Sequence, residues 1–203
     1  GVSVVNALSE QFEIFIKRDG KLHHMAFKGG KKAKALSVKD KIGKRNTGTL
    51  INFKPDPQYF DSAKFSVPRL KHLLRAKAVL CSGLSVHFTD ETTSNKDQRS
   101  FEWFYEEGLK DYLGVELEGF EVLPAEPFLG SMGGNDAAVD WAVQWLPEGG
   151  ELVAESYVNL IPTTQGGTHV SGLRSGLLEA LREFCEFRNL VPRGLKLTAD
   201  DIW

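Results

Sequence analysis

Residues 157–188, YVNLIPTTQGGTHVSGLRSGLLEALREFCEFR, constrain the fold more than any other part of the chain, because three local signals agree within one short stretch. Tyr157, Val158, Leu160 and Ile161 read as the end of a buried strand, and Pro162 stops it. Gly166 and Gly167 free the backbone to turn before Thr168, a residue suited to capping a helix. Val170, Leu173, Leu177, Leu178, Leu181, Phe184 and Phe187 then recur at three- and four-residue spacings, with Arg174, Glu179, Arg182, Glu183 and Glu186 on the other face. A strand, a turn and an amphipathic helix in this order require a layered fold that mixes sheet and helix.

The rest of the chain extends the pattern. QFEIFIKRDGKLHHMAF reads as a hairpin, with Phe12, Ile14 and Ile16 alternating before an Asp19-Gly20 turn. A third strand is expected near 35–38 and a fourth from Thr49 to Phe53, stopped by Pro55 and Pro57. Pro68 suits the first turn of a helix whose Leu70, Leu73, Leu74, Val79 and Leu80 form an apolar stripe. Strands are expected at 84–88, 98–104, 128–132, 139–146 and 152–158, the last closing a sheet with its predecessors, and a short helix at 105–113. The fold class is α+β, with helices packed on one face of each mostly antiparallel sheet. Two domains are expected, 1–58 and 59–203. Both termini cut across elements: the helical pattern of Val2, Val4, Val5 and Leu8 has no cap upstream, and Thr198 with Asp200 and Asp201 announces a helix just before Trp203. An interior piece of a longer polypeptide is the expectation.

Charge is distributed unevenly. Residues 1–90 hold 17 Lys and Arg against 7 Asp and Glu, and residues 91–203 hold 8 against 20, so a net charge of -2 conceals a basic first half and an acidic second half. The densest basic block runs from Lys17 to Arg45 and contains few aromatics, which suits contact with a phosphate backbone better than base stacking. Apolar runs are far shorter than the ~20 residues a membrane helix needs, and a cytoplasmic protein is expected. Cys81 and Cys185, both in helical patterns, read as buried free thiols and make no zinc motif.

Familiar catalytic motifs are missing. The sequence has no phosphate-binding P-loop, no His-Glu-x-x-His and no Gly-x-Ser-x-Gly elbow. His23 and His24 are adjacent, so on a strand they point to opposite faces and cannot share a metal. His169 reads as polar glue at a helix start. No metal ligand and no catalytic residue is assigned.

Taken as whole strings, GVSVVNALSE, KRNTGTLINFKPD, RLKHLLRAKAVLCSG, FYEEGLKDYL and NLIPTTQGGTHVSGLR resemble the ATPase component, the B subunit, of bacterial type IIA DNA topoisomerases, and within it topoisomerase IV more than gyrase. The resemblance covers essentially the whole chain. It implies that 1–58 is the end of a GHKL-type ATP-binding domain and 59–203 a transducer domain of ribosomal-protein-S5-like fold, truncated at its C-terminal end. It implies ATP and Mg2+ as cofactors of the complete enzyme, and DNA, the topoisomerase IV A subunit and a second copy of the ATPase component as partners. Gly1, Val2 and Ser3 match the last residues of the ATP lid and the helix after it; Thr49 matches a residue at the adenine end of the pocket; Arg18 matches its rim. The family's metal-binding Asn, catalytic Glu, adenine-reading Asp-x-Gly-x-Gly and phosphate-reaching Gln-Thr-Lys loop have no counterpart in these residues, so the chain by itself is not expected to hydrolyse ATP. The alternatives are a stand-alone nucleic-acid-binding or scaffold module, and the equivalent region of a mismatch-repair or chaperone ATPase.

Overall fold

Alternation of Phe12, Ile14 and Ile16 with polar neighbours produces β1, Ser9–Arg18, the strand around which the first part of the chain is organised. In the computed structural model, which describes residues 1–134, 137–192 and 194–203, the chain divides into two units, Gly1–Ser66 and Val67–Trp203.

The first unit is one antiparallel sheet. A short helix, α1 (Val2–Ala7), leads into β1, followed by β2 (Lys21–Lys28), β3 (Lys31–Lys41) and β4 (Gly48–Pro55), in the spatial order β3-β2-β1-β4. Asp19 and Gly20 both take positive φ in the β1–β2 turn, as the Asp-Gly pair requires. Residues directly opposite in the ladder share a face, so Phe12, Ile14 and Ile16 lie with Phe27, Met25 and His23 of β2 and with Phe53, Ile51 and Thr49 of β4. Phe12 is fully buried on that face, with the ring of Phe27 edge-on to it at 6.2 Å. The opposite face carries Phe15 stacked on the buried His24 at 4.4 Å, with Glu13 3.4 Å from the imidazole. The two histidines therefore point apart, as adjacency on a strand dictates. The third strand is much longer than its apolar stretch, because lysines are tolerated on an exposed edge.

The second unit opens with α2 (Val67–Leu80), whose Ala76, Ala78 and Val79 are buried. Two hairpins follow, β5 (Val86–Thr89) with β6 (Ser100–Trp103), and β7 (Leu123–Gly133) with β8 (Ala138–Trp145), separated by α3 (Leu109–Glu116). Ala78, Val79 and Tyr105 form the core here, lined by Val86, Trp103, Leu109 and Tyr112. Several expectations are corrected. Residues 152–158 do not close a sheet: only β9 (Tyr157–Val158) is extended, and it pairs with β10 (Ile161–Pro162) in a separate small hairpin. Pro162 therefore sits within a strand, which an edge position lacking a donor permits. Thr168 is the first residue of α4 (Thr168–Arg188), and Gly167 occupies the cap position without a side-chain bond. Near the end of the chain, Thr198 precedes a single 3-10 turn, in which Asp201 accepts from both the main-chain N–H and the hydroxyl of Thr198 at 2.7 Å. Cys81, which follows the last residue of α2, and Cys185 within α4 are free thiols but half-buried rather than buried.

Candidate functional site

The ladder register decides which of the anticipated site residues meet. Thr49 stands opposite Ile16, two residues before Arg18 ends β1, so alternation places Thr49 and Arg18 on one face at one end of the sheet, as diagonal neighbours about 7–8 Å apart. Arg18 is highly exposed, and its 3.6 Å contact with Asp19 is too solvated to hold it in place. Ile51, next on the same face, is also exposed, giving this end an apolar floor with a cationic rim.

Gly1, Val2 and Ser3 form a second group. The carbonyl of Gly1 accepts from the N–H groups of Val4 and Val5 at 3.0 and 3.3 Å, which starts α1 and leaves the first-turn amides of Val2 and Ser3 without acceptors inside the helix. The other end of α1 is fixed where β1 begins: Ser9 Oγ donates to the Val5 carbonyl at 2.6 Å, and Ala7 packs against the Gly30 turn. Ile16 lies seven residues beyond Ser9, about 24 Å along an extended strand. A six-residue helix spans only about 9 Å, so the two groups do not merge into one cluster. What they offer is limited but coherent: free amides for an anion at one point, a β-branched wall and a guanidinium at another. The donor set fits the margin of a nucleotide site. Among the described residues, no three of His, Cys, Asp and Glu come together in a way that could hold a metal ion.

A second constellation, joining residues far apart in sequence, lies in the second unit. Arg75 on α2 donates to the Tyr105 hydroxyl at 2.8 Å, pairs with Glu116 of α3 at 2.5 Å, and lies over the Tyr112 ring at 5.0 Å. Burial works against the Arg75 charge, but the bonds to Tyr105 and Glu116 outweigh it and hold its pKa above the usual value. Tyr112 and Tyr157 both donate to Glu155, at 3.0 and 2.6 Å. Burial first, and the adjoining carboxylate after it, push both phenols well above their ordinary pKa. Neutral phenols bound to a carboxylate are poor nucleophiles and poor proton donors, so this arrangement ties α2, α3 and the β9 region together rather than catalysing a reaction. Lys77 adds another tie by donating to the carbonyl of Leu160 in the β9–β10 turn.

The Gly-Gly turn is also explained by contact. Gly167 has a φ of +152°, and a Cβ there would stand 2.9 Å from His169 Cε1, while His169 Nε2 lies 3.3 Å from Thr163 Oγ1. His169 thus bridges the end of β10 to the start of α4, and the ring requires a glycine beneath it. An open hollow of about 340 Å³ between α4 and the final turn, lined by Glu151, Arg174, Ser175, Asp200 and Trp203 among others, contains none of the anticipated residues.

Comparison with known proteins bears on all of these elements at once. Along all 203 residues the chain is 62% identical to the B subunit of DNA topoisomerase 4 from Haemophilus influenzae and 57% identical to that from Escherichia coli, covering 32% of each. The family model for DNA gyrase B matches residues 108–203. The chain belongs to the B subunits of bacterial type IIA topoisomerases. It superposes on the topoisomerase IV ATP-binding domain of Francisella tularensis, solved with a small-molecule inhibitor, with a TM-score of 0.78 and 42% identity over 99% of this chain and 53% of that one. The 43K ATPase domain of Thermus thermophilus gyrase B, solved with an aminocoumarin, gives a TM-score of 0.79 at 31% identity, over 98% and 53% of the two chains. The fold class is therefore α+β of the GHKL ATPase type in this topoisomerase family. The chain spans about a third of the length of the curated relatives it matches. No helix among its described residues is long and apolar enough to cross a membrane.

Proposed function

We propose that the chain serves, within a complete topoisomerase IV ATPase component, to couple ATP binding and hydrolysis to passage of one DNA duplex through another, with decatenation and relaxation as the outcome. The observation that carries this reading is 62% identity to a topoisomerase 4 relative over every residue of the chain. Residues 1–58 would be the end of the ATP-binding domain and 59–203 the transducer. At the nucleotide, the amides of Val2 and Ser3 with Gly1 would face phosphate, Thr49 would line the adenine end, and Arg18 would stand at the rim. The nucleotide supplies the energy of phosphoryl transfer. The residues of this chain orient it, and the bound and free states must differ in their contacts for closure to follow. Mg2+ would accompany ATP in the complete enzyme, which would act in the cytoplasm with a second copy of itself, the topoisomerase IV A subunit and DNA as partners. Neither the stand-alone module nor a mismatch-repair or chaperone ATPase has comparable support.

The test is ATP-dependent strand passage by the complete gene product mixed with its A subunit. Thr49→Ala should raise the KM for ATP severalfold while leaving the fold intact. An unchanged KM would remove Thr49 from the site, and loss of all strand passage in the unmodified protein would end the reading as a whole.

A further inference from the structure

The most basic surface of the first unit has an organisation that the proposed activity does not use. Between Lys17 and Arg45 the chain has eleven Lys and Arg against two acids, Asp19 and Asp40. Asp19 lies against Arg18, and the Asp40 carboxylate accepts from the main-chain N–H of Lys41 at 2.8 Å. Among the described residues, no lysine of β2 or β3 has a carboxylate within ion-pair distance; the nearest such pair, Lys54 with Glu10 at 2.8 Å, lies on the β4 side of the sheet. The uncompensated charge is thus confined to one edge.

Along that edge the charges fall into two groups. All eleven residues of β3 are exposed, and β3 is the outer strand. Lys28, Lys31, Lys32 and Lys34 gather at one end, with Lys28 paired to Lys31 in the ladder. Lys21, Lys39, Lys41, Lys44 and Arg45 gather at the other, with Lys21 paired to Lys41. Between Lys34 and Lys39 there is only Ala35, Leu36, Ser37 and Val38. Lys31 lies beside Lys28 and Lys41 beside Lys21, with the extra residues of β3 taken up in irregularities of the ladder, so the two groups stand about the length of β2 apart, about 24 Å. A lysine-rich edge also discourages pairing with another sheet, but one or two charges suffice for that, and this edge and its turns carry nine. β3 itself has no aromatic residue, and Phe15, whose ring lies 5.0 Å from Lys39 Nζ, is already stacked on His24, so bases would not be read.

We propose that the β2–β3 hairpin is a docking surface for the backbone of duplex DNA, its two unpaired lysine groups contacting phosphates without sequence preference. The proposal rests on the reading that DNA is the substrate of the complete protein. It is tested in the complete gene product with Lys31, Lys32, Lys34, Lys39 and Lys41 changed to Gln, by anisotropy of a labelled duplex of about 30 base pairs between about 50 and 200 mM salt. Each lost phosphate contact lowers the slope of log K against log salt by about 0.9, so the variant should lose about 3 to 5 from its slope and at least tenfold in affinity at low salt. ATP hydrolysis without DNA and thermal stability should stay at their unmodified levels. If the five changes impair folding, Lys31→Gln with Lys41→Gln should lower the slope by about 2. An unchanged slope overturns the proposal, as does altered self-association in sedimentation with duplex binding intact, which would make the edge a protein contact. Decatenation by the unmodified protein separates the two levels: if it is present and the slopes are equal, only the docking surface fails; if it is absent, the underlying reading fails too.

Discussion

Gly130 and Trp141 face each other across the β7–β8 ladder so closely that a methyl group on Gly130 would stand 1.9 Å from Cζ2 of the indole. The ring lies over the glycine and reaches Phe128, whose centroid is 6.4 Å away. Gly130→Ala should therefore displace Trp141 and lower stability by about 1–3 kcal/mol. Gly172→Ala, at a helical position of α4 with nothing within 4 Å, should raise it by about 0.5–1 kcal/mol. Urea midpoints of the two variants should move in opposite directions, and equal shifts would contradict this packing.

The Arg75 guanidinium depends on Tyr105 as a neutral oxygen acceptor in a half-buried setting. Tyr105→Phe keeps the ring in the core and removes only that bond, so a loss of about 1.5–3 kcal/mol is expected from denaturant unfolding. A loss under about half a kilocalorie would mean that water replaces the hydroxyl without penalty.

Burial of Tyr112 and Tyr157, and after it the Glu155 carboxylate they share, sets an alkaline limit. The pKa values of Tyr112 and Tyr157 are raised in the folded state, so folding favours their protonated forms. That stabilisation is complete below the ordinary tyrosine pKa of about 10 and is lost as pH rises from there toward the folded values, because the unfolded chain gives up its protons first. Stability should fall above pH ~10, and Tyr112→Phe should make the fall shallower. Equal pH profiles for the two proteins would rule out this origin.

In the β9–β10 turn, Asn159 and Leu160 both adopt left-handed backbone, with φ of +48° and +66°. Asn tolerates this; for Leu it costs roughly 1–2 kcal/mol. Leu160→Gly should relieve that strain and leave the Lys77 contact, made to the main-chain carbonyl, in place. A gain of up to about 1 kcal/mol in thermal unfolding is expected, and a clear loss would show that the half-exposed side chain contributes more than the strain costs.

These cases also mark what residues alone can convey. The β1–β2 hairpin is legible because Phe12, Ile14 and Ile16 alternate up to an Asp-Gly pair, two local signals that agree. The long helix is legible from its apolar stripe, though its start is not: His169 packs over Gly167, and that contact, not a hydroxyl cap, shapes the entry. Leu160 gives no hint of a turn, since its hydrophobicity argues for a strand and only the fold imposes a positive φ. The extent of β3 is hidden by its lysines, which obey an edge and not a core. At the candidate site, Thr49 and Arg18 are suggested by resemblance, and their common face follows from register, which depends on pairing between strands distant in sequence. The Arg75 and Glu155 networks join residues 30 and 43 positions apart, beyond any local pattern.

The proposed function makes this chain part of the motor of a decatenating topoisomerase. The most direct measurement is the unlinking of catenated DNA circles by the complete gene product and its A-subunit partner, with and without ATP. Unlinking that requires ATP, without introduction of negative supercoils, is the expected result. Absence of strand passage by a folded, nucleotide-binding protein would contradict the claim, and ATP-driven negative supercoiling would reassign the chain to gyrase.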